Sequence, residues 1–285
     1  MGPALALLSA VLFAGAALLV RRGMEGSNAA TATLISIGTN LVAMWLLALT
    51  VGTVTRVTLA PALTLLLAGM FAPSLARLTY YESINLIGVA RAATISNTTP
   101  IFTALLAVPV LGETVSWRLA VGTVGVVVGV ALTVRPDRAA PLERPWAGTL
   151  LALNTAVMAS ISFMLRKLGL RLLPDPAVAS ALTVTGSLIT LLPYLWLRSR
   201  VEPLRAAGPA LGYLVAGSIV TTAAFLAYFL ALSLSDVVKV TPLSNTTPLF
   251  ALVLLALFRQ GEAIRPATVA GAILTVLGVI FVVAG

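Results

Sequence analysis

Ser96-Asn97-Thr98-Thr99-Pro100 recurs unchanged as Ser244-Asn245-Thr246-Thr247-Pro248, at equivalent places in the two halves of one apolar chain. At the same offset Pro61-Ala62-Leu63 matches Pro209-Ala210-Leu211, Gly69 matches Gly217, Tyr80 matches Tyr228, and Arg91 matches Lys239. After one inserted residue, Gly112-Glu113 pairs with Gly261-Glu262 and Gly129 with Gly278. A chance run of five would not bring these along. The chain is therefore a duplication of a unit of about 140 residues, and any fold it adopts must contain that unit twice.

The solvent for this fold follows from how few polar groups it has. The 285 residues are 59% hydrophobic and 9% charged, and the mean hydropathy is +1.06, too apolar for a surface covered by water. A helix needs about 20 apolar residues to cross about 30 Å of hydrocarbon. Ten such runs fit between charged or Pro/Gly-rich breaks, at 3–22, 30–50, 62–82, 89–110, 117–134, 147–166, 177–197, 209–231, 237–258 and 266–284. The one long polar break, Arg135 to Pro145, lies near the midpoint and reads as a linker. The chain thus divides into a first five-helix repeat over 1–134, a linker over 135–146 and a second repeat over 147–285. Five spans per repeat is an odd number, so the second repeat enters the membrane inverted. The expected fold is all-α and polytopic, with ten transmembrane helices as two inverted five-helix repeats. Inverted repeats are a common transporter plan, with the substrate near the midplane between halves.

Absent residues exclude several functions. With no cysteine and no histidine the chain has no disulfide, no thiol or imidazole nucleophile and few routes to a metal site, so no cofactor is implied. The net charge of +9 arises from 18 basic residues that fall mostly in the breaks, which indicates a membrane surface and not nucleic acid. The N-terminal run from Pro3 to Val20 has neither a basic start nor an Ala-x-Ala cleavage site and reads as a retained helix of a cell-membrane protein. A membrane-embedded enzyme would need a deep acid, base or metal constellation, which these residues do not supply. A carrier or scramblase for a lipid-linked substrate is the main alternative, with Arg91 or Lys239 at the rim of a laterally open groove.

Ala90-Arg91-Ala92-Ala93, Thr99-Pro100-Ile101-Phe102-Thr103-Ala104, Gly112-Glu113 and the Gly-spaced helix after them resemble the EamA domain of the drug/metabolite transporter superfamily. So does Val238 to Val283. The resemblance covers nearly the whole chain as two tandem domains. It implies a ten-helix carrier of metabolites such as amino acids, sugars or nucleotide derivatives, with a central cavity lined by helices 1, 3, 4, 6, 8 and 9.

The repeated pentapeptide is the first candidate site. Asn97, Thr98, Asn245 and Thr246 lie near the middle of spans 4 and 9, where unsatisfied polar groups are costly, and they are expected to contact substrate. Pro100 and Pro248 lack the N–H that would bond residue i−4, which frees the carbonyls of Ser96 and Ser244. A bland alternative stands beside this: the hydroxyls and amides bond backbone or a neighbouring helix, and the prolines are static kinks and not hinges. Span 3 ends in Arg77-Leu78-Thr79-Tyr80-Tyr81-Glu82, which puts Arg77 and Tyr81 on one face and makes Arg77 the deepest cation expected from the span limits. Arg77 either snorkels to the interface beside Glu82 or, with an aromatic wall, binds a substrate carboxylate or phosphate. Its counterpart in the second half is Phe225, which with Tyr228 completes the expected substrate-binding set and makes the cavity asymmetric.

Gly122, Gly125 and Gly129 on span 5, with Gly271 and Gly278 on span 10, allow close helix approach, either within a monomer or at a dimer contact through Gly125 and Gly129. For orientation, Arg56, Arg118, Arg166, Lys167, Arg171 and Lys239 fall on the side of the termini, against eleven basic residues opposite, which puts the termini outside. The family resemblance implies cytoplasmic termini, and a C-terminal reporter read on intact cells decides between them. All nine acids lie in or beside loops, and span 1 has Ala14 and Gly15 where small multidrug exporters of the same superfamily carry a buried glutamate. Transport in proteoliposomes is therefore expected to proceed without a pH gradient; strict dependence on one would refute facilitated diffusion or exchange.

Overall fold

A computed structural model describes residues 1–133, 145–199, 208–257 and 266–285, and these are helical with no strand among them. Residues 135–144 of the linker expected at 135–146, the second Gly-Glu pair and Glu202 lie outside the described residues, and the linker's last two residues already begin a helix. Spans 1 and 2 are single helices, α1 (Gly2–Met24) and α2 (Ala29–Val51). Span 3 is made of α3 (Leu59–Gly69), a wide turn over Met70–Leu75 and α4 (Ala76–Ile87). Span 4 is broken into α5 (Val89–Ser96) and α6 (Thr99–Leu111), and span 5 is α7 (Trp117–Thr133). The second half follows with α8 (Pro145–Leu172), α9 (Pro176–Ser199), α10 (Gly208–Leu234), the broken pair α11 (Val237–Ser244) and α12 (Thr247–Leu257), and α13 (Pro266–Ala284). Among the described residues nine spans are long and apolar enough to cross a membrane; α7, at 17 residues, reaches about 25 Å and is the tenth.

Helix pairing obeys an exchange of each span with the one five places later. Span 1 packs on span 8 and span 6 on span 3; span 1 also packs on span 9 and span 6 on span 4. Span 8 against span 2 answers span 3 against span 7, while the pairs 2–7, 4–9 and 5–10 map onto themselves. This is the contact pattern of a two-fold repeat, and the odd number of spans in each half makes it an inverted one.

The pentapeptide breaks both fourth spans identically. Asn97 and Asn245 end their helices with ψ of −5° and −1°, flattened from a helical value, and a new helix begins two residues on. The freed carbonyls find local partners: the hydroxyls of Thr98 and Thr99 donate to Ile95 and Ser96 at 2.6 and 2.7 Å, and those of Thr246 and Thr247 to Leu243 and Ser244 at 2.6 and 2.9 Å. Threonine suits the position because its hydroxyl can reach a carbonyl three residues back, where lipid offers no substitute. Ser96 and Ser244 then tie each break to the first span of the other repeat, with Ser96 donating to the Ala152 carbonyl at 3.3 Å and Ser244 lying 3.4 Å from the Ser9 hydroxyl.

Span 6 runs to Leu172, past the limit of 166 expected from charge, because Leu168, Leu170 and Leu172 continue the apolar run and the basic side chains find carbonyls inside the bundle. Arg166 and Lys167 are buried helix residues, not loop residues. Removing them from the loop count strengthens the charge bias toward the face opposite the termini. Asp175 caps the next helix, accepting from the amides of Ala177 and Val178 at 3.0 and 3.1 Å ahead of Pro176 at the first turn.

The glycine faces of α7 and α13 pack on each other, so the Gly125 and Gly129 face is covered within the monomer and is not free for a dimer contact. A Cβ at Gly278 would sit 2.6 Å from the Val126 amide and 2.7 Å from the Gly122 carbonyl, both backbone atoms that cannot rotate away. Gly278→Leu is therefore expected to destabilise the protein by about 1–3 kcal/mol, read as a lower unfolding temperature in detergent. Gly15→Leu, where a Cβ meets nothing within 4 Å, is the control and is expected to leave it near wild type.

Candidate functional site

A cavity of about 540 Å³ enters the bundle between spans 1, 2, 3, 7 and 8. Its mouth carries Arg21 and Met24 from the end of α1 and Ala32 from the start of α2, so it opens on the face opposite both termini. Its floor is Phe13, Pro73, Ser187 and Phe225. Phe13 and Phe225 meet edge to face, centroids 5.9 Å apart. Asn40 lines one wall and accepts the Thr222 hydroxyl at 2.7 Å, which joins α2 to α10.

Of the expected substrate residues, Arg77, Tyr81 and Phe225 line this cavity and Asn97, Thr98, Tyr228, Asn245 and Thr246 do not. The wall is also not the set of helices that the family resemblance implied: spans 2 and 7 take part, while spans 4, 6 and 9 are screened from it. Thr98 and Thr246 stay away because their hydroxyls bond carbonyls within their own breaks. Asn97 and Asn245 sit half-buried at those breaks with carboxamides that bond none of the described residues. Arg77 is half-buried, with no hydrogen bond or ion pair to the described residues, which suits a group waiting for a solute.

Arg77 is not the deepest cation. Among the described residues Arg166 is, at 4% exposure, and it lies beneath the cavity floor. Its guanidinium carbon is 5.3 Å from the ring centre of Phe163, 5.2 Å from Phe225 and 5.7 Å from both Tyr228 and Phe229. One Nη donates to the Ala72 carbonyl at 2.7 Å, while Nε has no partner among the described residues. Tyr228 is 3% exposed, and its hydroxyl lies by Arg166 and Thr241 without completing a hydrogen bond. Four aromatic faces at about 0.5–2 kcal/mol each offset part of a desolvation cost of several kcal/mol, but they bring no negative charge.

The Ala72 carbonyl is available because span 3 is broken there, with Ala72 extended (φ −146°, ψ 137°) ahead of Pro73. Ser162 donates to the carbonyls of Ala68 and Ala72 at 2.7 and 3.1 Å, and Ser74 to those of Gly69 and Ser187 at 3.0 Å each. Two signals for this centre were present in the sequence: a proline in the middle of span 3, and a basic pair followed by further apolar residues, Leu168, Gly169 and Leu170. At the offset of the repeat Pro73 corresponds to Thr221 and Arg166 to Leu18, so the break and the cation are both departures from the duplication.

The face bearing the termini is closed by three capping contacts. Lys167 donates to the carbonyls of Leu232 and Ser235 at 2.7 and 2.8 Å, at the end of α10. Arg171 donates to the Leu111 carbonyl at 2.7 Å, at the end of α6. Gly112 adopts φ +66°, which ends α6 and directs Glu113 across to α11, where its two oxygens accept the amides of Val237 and Val238 at 3.0 Å each. Burial pushes the Glu113 carboxyl up, against the two amides and Lys167, which hold it down. Among the described residues no group of acids could hold a metal ion.

The chain matches the EamA-like transporter family twice, over residues 1–135 and 146–284, and it belongs to that family. It is an integral membrane protein of a transporter fold. A solved structure titled only "Crystal structure of protein" has the same fold, with a TM-score of 0.77 and 16% identity over 99% of this chain and 97% of the other. None of the curated proteins matches the sequence.

Glu113→Ala leaves the Val237 and Val238 amides without acceptors on the closed face. It is expected to cost about 1–3 kcal/mol, read as a lower unfolding temperature, while Glu113→Gln, which retains one acceptor oxygen, loses less.

Proposed function

We propose that the protein is an alternating-access carrier for a small organic metabolite, amino-acid-like in size, with an anionic group and an aromatic or apolar body. It works as a monomer in the cell membrane by facilitated diffusion or exchange, in whichever direction the gradient sets. The observation that carries this reading is the cavity of about 540 Å³, open on one face and closed on the other, in which Arg77 has no hydrogen bond or ion pair to the described residues and shares the wall with Phe225. An unpaired guanidinium within the membrane is an electrostatic site for an anion, and Phe13, Ile37 and Phe225 give the solute's apolar part a surface to leave water for. The closed face depends on capping contacts at helix ends, which can break one by one without exposing a core. Opening it exposes a second path to the same centre. The half-buried carboxamides of Asn97 and Asn245 join the site at that stage, with Pro100 and Pro248 marking where the half-helices pivot.

The test is uptake by proteoliposomes of a panel of labelled amino acids, carboxylates and neutral analogues, with lipid flipping followed in the same vesicles. Arg77→Gln is expected to raise KM for the preferred anionic solute about tenfold, equivalent to about 1.4 kcal/mol, with a smaller change in the maximal rate. Lipid flipping without solute uptake would sink the proposal.

A further inference from the structure

The cage around Arg166 is a second site, distinct from the Arg77 wall. We propose that Arg166 and Tyr228 form the anion-binding centre of the occluded carrier, covered in the present conformation by the Phe225 ring, and that the transported solute is a monocarboxylate with a compact apolar body. This rests on the carrier reading above and names its substrate class.

Three observations carry it. First, two donors are buried side by side without a completed hydrogen bond to the described residues: Nε of Arg166, and the hydroxyl of Tyr228, which lies against the Arg166 guanidinium and Thr241. Polar groups this deep are normally bonded, and a charged donor next to a neutral one matches the two oxygens of a carboxylate. Second, no carboxylate of the described residues pairs with Arg166, whose one completed hydrogen bond among them goes to the Ala72 carbonyl. The described acids are Glu25, Glu82, Glu113, Asp175 and Asp236, and all lie in turns or toward helix ends. A cation kept in the membrane without a counter-ion of its own is a place for one that arrives from outside.

Third, one side chain borders both this centre and the cavity. The Phe225 ring lines the cavity floor and lies 5.2 Å from the Arg166 guanidinium carbon. Pro73, the next residue along the floor, follows the Ala72 carbonyl that Arg166 holds. The empty volume lies on the far side of Phe225, so the ring has room to swing toward the mouth. Arg77 captures the anion in the open cavity, and displacement of Phe225 hands it to Arg166 with the apolar body left among Phe13, Ile37 and Val20. One cation at the centre sets the charge taken at one, because the neighbouring Lys167 turns away to the Leu232 and Ser235 carbonyls.

The experiment uses the purified full-length protein, which has no cysteine, with 3-phenylpropionate as probe and 3-phenylpropionamide as its uncharged isostere. The acid and not the amide is expected to raise the unfolding temperature. Its apparent affinity is expected to fall at least tenfold in Tyr228→Phe and to be lost in Arg166→Gln, which keeps a donor for the Ala72 carbonyl. Labelling reads the same site without relying on the Arg166 variant. Tyr228→Cys is expected to react slowly with the anionic reagent sulfonatoethyl methanethiosulfonate. Phe225→Ala/Tyr228→Cys should react at least ten times faster. Equal stabilisation by acid and amide, unchanged affinity in Tyr228→Phe, or no acceleration of labelling by Phe225→Ala overturns the proposal. Solute uptake by wild-type vesicles alongside any of those results leaves the carrier reading standing and removes only this one; absence of all uptake removes the carrier reading itself.

Discussion

In hydrocarbon an open carbonyl has no water to turn to, and the break in span 3 exposes several. Arg166 and Ser162 supply the donors from span 6, at 2.7 and 3.1 Å from the Ala72 oxygen, with Ser162 also reaching Ala68. Much of the asymmetry of the molecule follows from that contact. It fixes the first span of the second repeat against the third span of the first, it holds a guanidinium inside the membrane, and it draws four aromatic rings around that charge. The corresponding contact of span 1 with span 8 needs no such donor, because α10 runs unbroken from Gly208 to Leu234.

The two kinds of helix break do different work. Those in spans 4 and 9 are bonded largely from within: Thr98 and Thr99, and Thr246 and Thr247, return their hydroxyls to carbonyls of the same turn. Both also reach another helix: Ser96 and Ser160 tie the break of span 4 to span 6, and Ser244 lies by Ser9 of span 1. The break in span 3 differs in that the carbonyl it opens, that of Ala72, is bonded from span 6.

Closure of the terminal face uses charge in an economical way. Glu113, Lys167 and Arg171 each satisfy backbone groups at a helix end instead of pairing with one another. A carboxylate on two amides at the start of α11, and cations on carbonyls at the ends of α10 and α6, follow the sign of the helix dipole. The Gly-Glu pair in the sequence therefore has a structural reading: the glycine supplies the left-handed turn and the glutamate the cap.

Hydropathy and the duplicated pentapeptide were sufficient to determine ten spans, two inverted repeats and matching breaks at Asn97 and Asn245, because lipid leaves a chain so few ways to satisfy its backbone. They also pointed to Arg77, Tyr81 and Phe225, since a cation placed by an apolar run opposite an aromatic counterpart is visible as a departure from the repeat. The tertiary structure alone decided that Asn97, Thr98, Asn245, Thr246 and Tyr228 stand away from the cavity, that spans 2 and 7 form part of its wall, and that Arg166 is the deepest cation among the described residues. The reason is that charge in a sequence marks where a helix is expected to leave the membrane. A guanidinium stays inside only when a distant carbonyl and a set of rings meet it there, and that meeting depends on how span 6 packs against spans 3 and 8.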